Sequence, residues 1–232
     1  MDNSIALVTG ANTGIGKEIA RQLAAAGLTV YAASRDAGRG ERAVAEIGGG
    51  TRPLVLDVTD AASVAAAANQ VPALDILVNN AGISLDDKTP DKETVESFRR
   101  VYETNVFGVV EVTNAFLPAL RQSAHPRIVN ISSSTGSLSL AGGRAAGGFA
   151  AYRSSKAALN ALTIFYSHAL AADGFKVNAL APGLRRTGLN PVAAASGGDP
   201  AEAAAGAVYL ALLPDDGPTG QFLSWDGTQV PW

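Results

Sequence analysis

Cysteine is absent from this 232-residue chain, methionine occurs once and histidine twice. Without cysteine there can be no disulfide, no thiolate metal site and no cysteine nucleophile, so a reducing, cytoplasmic setting is expected. Histidine offers little more. His125 precedes Pro126 at a predicted turn and His168 lies on a predicted helix; neither joins a metal-ligand cluster, and no metal is expected. An excess of charge is missing too: the formal net charge is −3 and the pI about 5.4. That balance gives no electrostatic reason to expect nucleic acid or an anionic membrane as partner. No apolar run approaches the roughly 18 residues that cross a bilayer. The amino terminus, MDNSIALVTG, carries an acid where a secretory leader would be basic.

What is present is a hydrophobic content of 47% and short β-branched runs alternating with longer helical ones. Strands are predicted at 4–9, 28–33, 52–57, 74–79, 127–132, 175–180 and 221–225, most of them apolar on both faces, as in a parallel sheet covered on both sides. Helices are predicted at 15–26, 38–48, 60–71, 93–122, 151–173 and 200–213, with Asp60 and Asp199 as helix starts. The alternation implies an α/β, doubly wound sheet of seven mainly parallel strands with helices on both faces. No linker divides it, so residues 1–232 read as one domain. GGRAAGG, at 142–148, reads as a loop, and 183–199 is long enough to be a substrate lid.

Four stretches carry the chemistry. TGANTGIG, at 9–16, follows the first strand and opens the first helix; glycines there admit a pyrophosphate to a helix N-terminus, though a plain glycine turn has the same composition. At the end of the second strand, where an acid would bond the ribose of NAD, stand Ser34 and Arg35; an arginine fork suits the extra phosphate of NADP. Asp36 follows and could partly neutralise Arg35. NNAG occupies 79–82. In YRSSK, Tyr152 and Lys156 are four residues apart and share one helix face, where an ammonium favours a phenolate, although the same spacing also occurs on ordinary helix faces.

Taken with Asn105 in YETNVFG, IVNISS, APG at 181–183 and TGQFLSWDG, these motifs resemble, in order and over essentially the whole chain, the short-chain dehydrogenase/reductase superfamily. Within it the similarity is greatest to NADPH-dependent carbonyl reductases. The resemblance implies a Rossmann-type fold and an enzyme that reduces a ketone or aldehyde with NADPH. In it Tyr152 gives the proton, Ser133 orients the carbonyl, Lys156 binds the nicotinamide ribose and lowers the tyrosine pKa, and Asn105 holds a relay water. It also implies cofactor contacts from Gly10, Asn12, Thr13, Gly14, Ile15, Gly16, Ser34 and Arg35, then Asp57 and Val58, then Asn79, Asn80, Ala81 and Gly82. Tyr152, Lys156, Pro182, Gly183 and Thr187 complete that set. The choice of Ser133 over Ser132 and Ser134 rests on the alignment alone. An NAD-preferring alcohol dehydrogenase and a non-catalytic dinucleotide-binding regulator are the alternatives. Gly188 after Thr187 departs from the family pattern and leaves the local helix start open. The interval between Ser133 and Tyr152 is long and could cover the Tyr152 helix, so a monomer, dimer or tetramer is compatible with the chain. Leu85, Leu138, Leu140, Phe149, Leu184 and Leu189 are candidates for an apolar substrate wall.

Overall fold

The computed structural model describes residues 4–85, 87–141 and 148–232. Its first half alternates β1 (Ile5–Val8), α1 (Gly14–Ala25), β2 (Thr29–Ser34), α2 (Ala37–Ile47), β3 (Thr51–Val55), α3 (Ala61–Gln70) and β4 (Ile76–Asn79). There follow α4 (Val95–Tyr102), α5 (Gly108–Leu120), β5 (Arg127–Ile131), α6 (Leu138–Ala141), α7 (Ala150–Ala169) and β6 (Lys176–Ala181). The chain closes with α8 (Pro191–Ala194), α9 (Pro200–Ala211) and β7 (Phe222–Ser224). All seven strands pair in parallel, in the order β3-β2-β1-β4-β5-β6-β7.

Successive side chains on a strand point to opposite faces, which is why the strands read as apolar throughout. Ala6, Val8, Ile76 and Val78 pack against Ile19 and Leu23 of α1 and Ala207 and Leu210 of α9. Leu7, Leu77 and Ile128 point the other way, onto Val64 of α3 and Val112 and Phe116 of α5. The strand order reverses between β1 and β4, so the loops leaving their carboxyl ends diverge and open a crevice. No helix of the described residues is long and apolar enough to cross a membrane.

Two segments differ from the sequence expectation. Residues 93–122 are not one helix: α4 passes into a π turn over Glu103–Phe107 before α5 begins. A π turn carries one extra residue, and here it turns Asn105 fully inward. Residues 183–199 are not all loop, because α8 starts within them, at the Asn190 cap with Pro191 as first helical residue. The helix cap therefore falls three residues beyond Thr187 and the first helical residue four. Apart from Gly148, the stretch GGRAAGG lies outside the described residues.

Candidate active site

The crevice at the strand reversal is a cleft of about 340 Å³. The glycine turn supplies one wall through Gly10, Asn12, Thr13, Gly14, Ile15 and Gly16. Gly10 and Gly14 have φ of +63° and +56°, in the region that favours glycine. Much of the demand for glycine comes from the protein itself. A Cβ on Gly16 would lie 2.3 Å from Asn80 Nδ2 and 2.7 Å from the Gly10 carbonyl, and one on Gly10 would lie 3.0 Å from Ala81 Cα. Asn80 fills that space because its Nδ2 donates to the carbonyls of Thr9 (2.8 Å) and Gly10 (3.2 Å), while Thr9 Oγ1 accepts from the amides of Asn80 and Ala81. The ends of β1 and β4 are thus stapled together.

The α1 terminus left beside that staple differs from those of α2, α3, α4, α8 and α9. Asp36, Asp60, Thr94, Asn190 and Asp199 each accept a backbone amide at the start of α2, α3, α4, α8 and α9. Thr13 makes no such bond at α1. Free amides and the positive end of the helix dipole therefore face the cleft, which suits a pyrophosphate.

At the end of β2, Ser34 is buried with its hydroxyl donating to the Asp36 carbonyl at 2.9 Å. The Asp36 carboxylate does not turn to Arg35; it accepts the Arg39 amide at 2.7 Å as the α2 cap. Arg35 and Arg39 both line the cleft, and neither is in an ion pair among the described residues. Arg39 was missed in the sequence, where its position four residues after Arg35 was the available signal. Asp57 and Val58 line the same end, the Asp57 carboxylate accepting from the amide and hydroxyl of Thr59.

Asn80, Ala81 and Gly82 reach the cleft, but Asn79 does not line it. Its buried amide group donates to Thr113 Oγ1 (3.1 Å) and Asn130 Oδ1 (2.9 Å), because the strand alternation turns it toward the α5 side of the sheet. Gly183 is not a lining residue either: its open face lies on Trp225, whose Cδ1 would be 3.1 Å from an added Cβ. Pro182 and Thr187 do line the cleft, and Thr187 packs on Gly14. Leu189 is the one leucine of the expected apolar wall among the lining residues. Leu138 and Leu184 are exposed, and Leu140 packs on the cluster around Phe222.

Tyr152 and Lys156 project from the first turns of α7. The Glu93 carboxylate accepts the Ala151 amide at 3.1 Å, fixing the helix terminus just before Tyr152. The Lys156 ammonium is buried, donates to the Ile131 carbonyl at 2.8 Å and lies 5.7 Å from the Tyr152 ring centre. Burial pulls it down to about 8. Burial pushes the Tyr152 phenol up to about 12, opposed only by its interaction with the Ser133 hydroxyl. Lys156 does not contribute the expected lowering, and loss of water around the phenol sets the direction. Gly82 leaves room chiefly for Asn105: a Cβ there would be 3.3 Å from Asn105 Oδ1 and in ordinary contact, 3.6 Å, with Lys156 Nζ.

Ser132 and Ser133 divide by partner. Ser132 points into α7, donating to Asn160 Oδ1 at 2.5 Å, whereas Ser133 faces Tyr152. The Asn105 side chain is engaged in protein contacts: Oδ1 accepts from the Ile83 amide, and Nδ2 donates to the Ile83 carbonyl and to Ser155 Oγ, all within 2.9–3.0 Å. It ties the β4 loop to α7, with one acceptor position of Oδ1 left over.

A cleft with a phosphate-accepting helix terminus at one end and a phenol and an ammonium at the other, with Ser133 beside the phenol though not itself a lining residue, is that of a dinucleotide-dependent oxidoreductase. A family model described as short chain dehydrogenase matches residues 4–196, and the chain belongs to that family. It is accordingly an NAD(P)-dependent oxidoreductase of the carbonyl/alcohol couple. The chain is 35% identical to (-)-isopiperitenone reductase of Mentha piperita, covering 95% of this chain and 96% of that one. It is similar to a solved NADPH-bound carbonyl reductase from chicken fatty liver, with 32% identity, all of both chains covered and a TM-score of 0.86. It is also similar to a 3-ketoacyl-(acyl-carrier-protein) reductase from Brucella melitensis solved with NADH, with 27% identity, 96% of each chain and a TM-score of 0.85.

Proposed function

We propose that this protein is an NADPH-preferring carbonyl reductase in which Tyr152 gives the proton, Ser133 orients the carbonyl oxygen and Lys156 binds the nicotinamide ribose. The observation that carries the cofactor preference is the pair Arg35 and Arg39 at the cleft rim, beside a neutral Ser34 and an Asp36 engaged in capping α2. Two guanidinium forks there match a ribose phosphate, while the Asp36 carboxylate at the same rim holds the Arg39 amide through one oxygen. The free amides at the start of α1 would hold the pyrophosphate.

When bound, the reduced nicotinamide supplies hydride to the carbonyl carbon. As negative charge grows on the carbonyl oxygen, the Ser133 and Tyr152 hydroxyls face it and stabilise it, and the phenol proton passes to that oxygen. A phenol pushed up to about 12 stays protonated through the neutral range, which suits a donor in the direction of reduction. Lys156, with one N–H held by Ile131, has its remaining donors for the ribose hydroxyls. Asn105 acts at a distance, fixing α7 against the β4 loop.

The test is loss of reduced-nicotinamide absorbance with NADPH and, separately, NADH, using cyclohexanone, benzaldehyde and ethyl acetoacetate. Faster turnover with NADPH is expected. Faster turnover with NADH assigns the chain to the NAD-preferring enzymes, and no consumption of either cofactor overturns the reductase reading.

A further inference from the structure

Ser133 is held by a neighbour that none of the family motifs includes. The Thr135 amide donates to Ser133 Oγ at 3.2 Å, and Thr135 Oγ1 lies 2.8 Å from the same atom. Thr135 sits in a 3₁₀ turn, Ser134–Gly136, that is pressed onto α7. A Cβ on Gly136 would lie 2.7 Å from the Lys156 carbonyl carbon and 2.8 Å from Lys156 Cβ, so the turn has no room to slide along the helix. Its Thr135 hydroxyl has no other hydrogen-bond partner among the described residues.

A serine hydroxyl has two acceptor positions and one proton. The Thr135 amide takes one acceptor position. The hydroxyl pair can then be arranged in two ways. If Ser133 donates to Thr135, its only proton is spent, and it meets Tyr152 and the substrate as an acceptor. If Thr135 donates to Ser133, both acceptor positions are filled and the Ser133 proton is left for the third direction, toward Tyr152. The second arrangement gives the Thr135 proton the one acceptor it has among the described residues, whereas the first leaves that proton without a protein partner.

Resting on the assignment of Ser133 and Tyr152 above, we propose that Thr135 is a positioning residue whose hydroxyl fills the last acceptor site of Ser133 and so commits the serine to donate to the reacting oxygen. Thr135 does not touch the substrate in this role. It removes the wrong orientation of a group that does.

The experiment compares Thr135→Val, which keeps the shape and loses the hydroxyl, with Thr135→Ser, which keeps the hydroxyl, using ethyl acetoacetate and NADPH. Removal of a direct oxyanion donor costs about 10²–10³ in rate, and a loss acting through that donor should be smaller, roughly tenfold in kcat. The KM for NADPH and the melting temperature should stay at the parent values, and Thr135→Ser should restore turnover. Parent turnover in Thr135→Val overturns the proposal, as does an equal loss in Thr135→Ser, which would make shape rather than the hydroxyl responsible. Tyr152→Phe in the same assay separates the two levels. If it is inactive while Thr135→Val is unaffected, only the role of Thr135 fails; if it retains turnover, or if the parent enzyme reduces none of the carbonyls, the underlying site assignment fails with it.

Discussion

The two ends of the sheet use buried polar groups in opposite ways. At the amino end of β5, Arg127 is fully buried, yet its guanidinium makes four hydrogen bonds among the described residues. Nε and Nη2 donate to the Leu213 carbonyl, Nη1 to the Pro126 carbonyl and Nη2 also to Asp215, which His125 Nδ1 approaches at 2.8 Å. Nearby, Asp75 accepts from the Ile5 amide and from Ser123. At the carboxyl end, the Lys156 ammonium is nearly as deeply placed but has one hydrogen-bond partner among the described residues, and α1 begins without a side-chain cap. Saturated polar groups lock distant segments together; groups with unused donors can bind a ligand. The same sheet is thus fastened at one end and receptive at the other.

The sharpest way to break this comparison is to remove the proton donor from the receptive end. Tyr152→Phe should lower kcat by about 10²–10⁴ while NADPH binding, read by fluorescence titration, and the urea midpoint stay unchanged. A comparable loss of stability would mean that Tyr152 belongs to the fastened class. Conversely, Arg127→Met should leave the KM for NADPH alone and cost about 3 kcal/mol in urea unfolding, since it strands buried carbonyls. At the cleft rim, Arg35→Ala and Arg39→Ala should each raise the KM for NADPH about tenfold, from loss of a charge-assisted phosphate contact, with little change for NADH. Equal losses with both cofactors would remove these residues from phosphate recognition.

The smallest expected effect is electrostatic. Hydrogen bonds from Arg127 and His125 hold the Asp215 carboxyl below the usual carboxylate range. A depressed folded-state pKa stabilises the protein above the unfolded value, and that contribution fades as pH falls through the lower folded one, below about pH 4. The melting temperature of Asp215→Asn should therefore converge with that of the parent as pH falls through this window. Divergence would exclude the assignment.

The fold was largely legible because apolar strands and capped helices are local signals: Asp60 and Asp199 mark their helices in the sequence as in the structure. The cleft was less so. Asn79 belongs to the same tetrapeptide as Asn80 yet faces the opposite side of the sheet, a matter of strand phase at its last residue. The glycines read as space for a ligand, whereas Gly16 and Gly10 are also required by Asn80 and Ala81, whose approach depends on pairing over some 70 residues. Burial of the Tyr152 phenol likewise depends on remote packing, so helix spacing could give its neighbour in Lys156 but not the sign of its shift.

The open start of α1 joins cofactor supply to the lifetime of the chain. An oxyanion seated there completes a helix that the polypeptide leaves unfinished, and any ligand selective for the native form, at 100 times its Kd, adds about 2.7 kcal/mol of stability. A cell depleted of dinucleotide would hold this enzyme both idle and nearer to unfolding, so its abundance and its turnover would decline together.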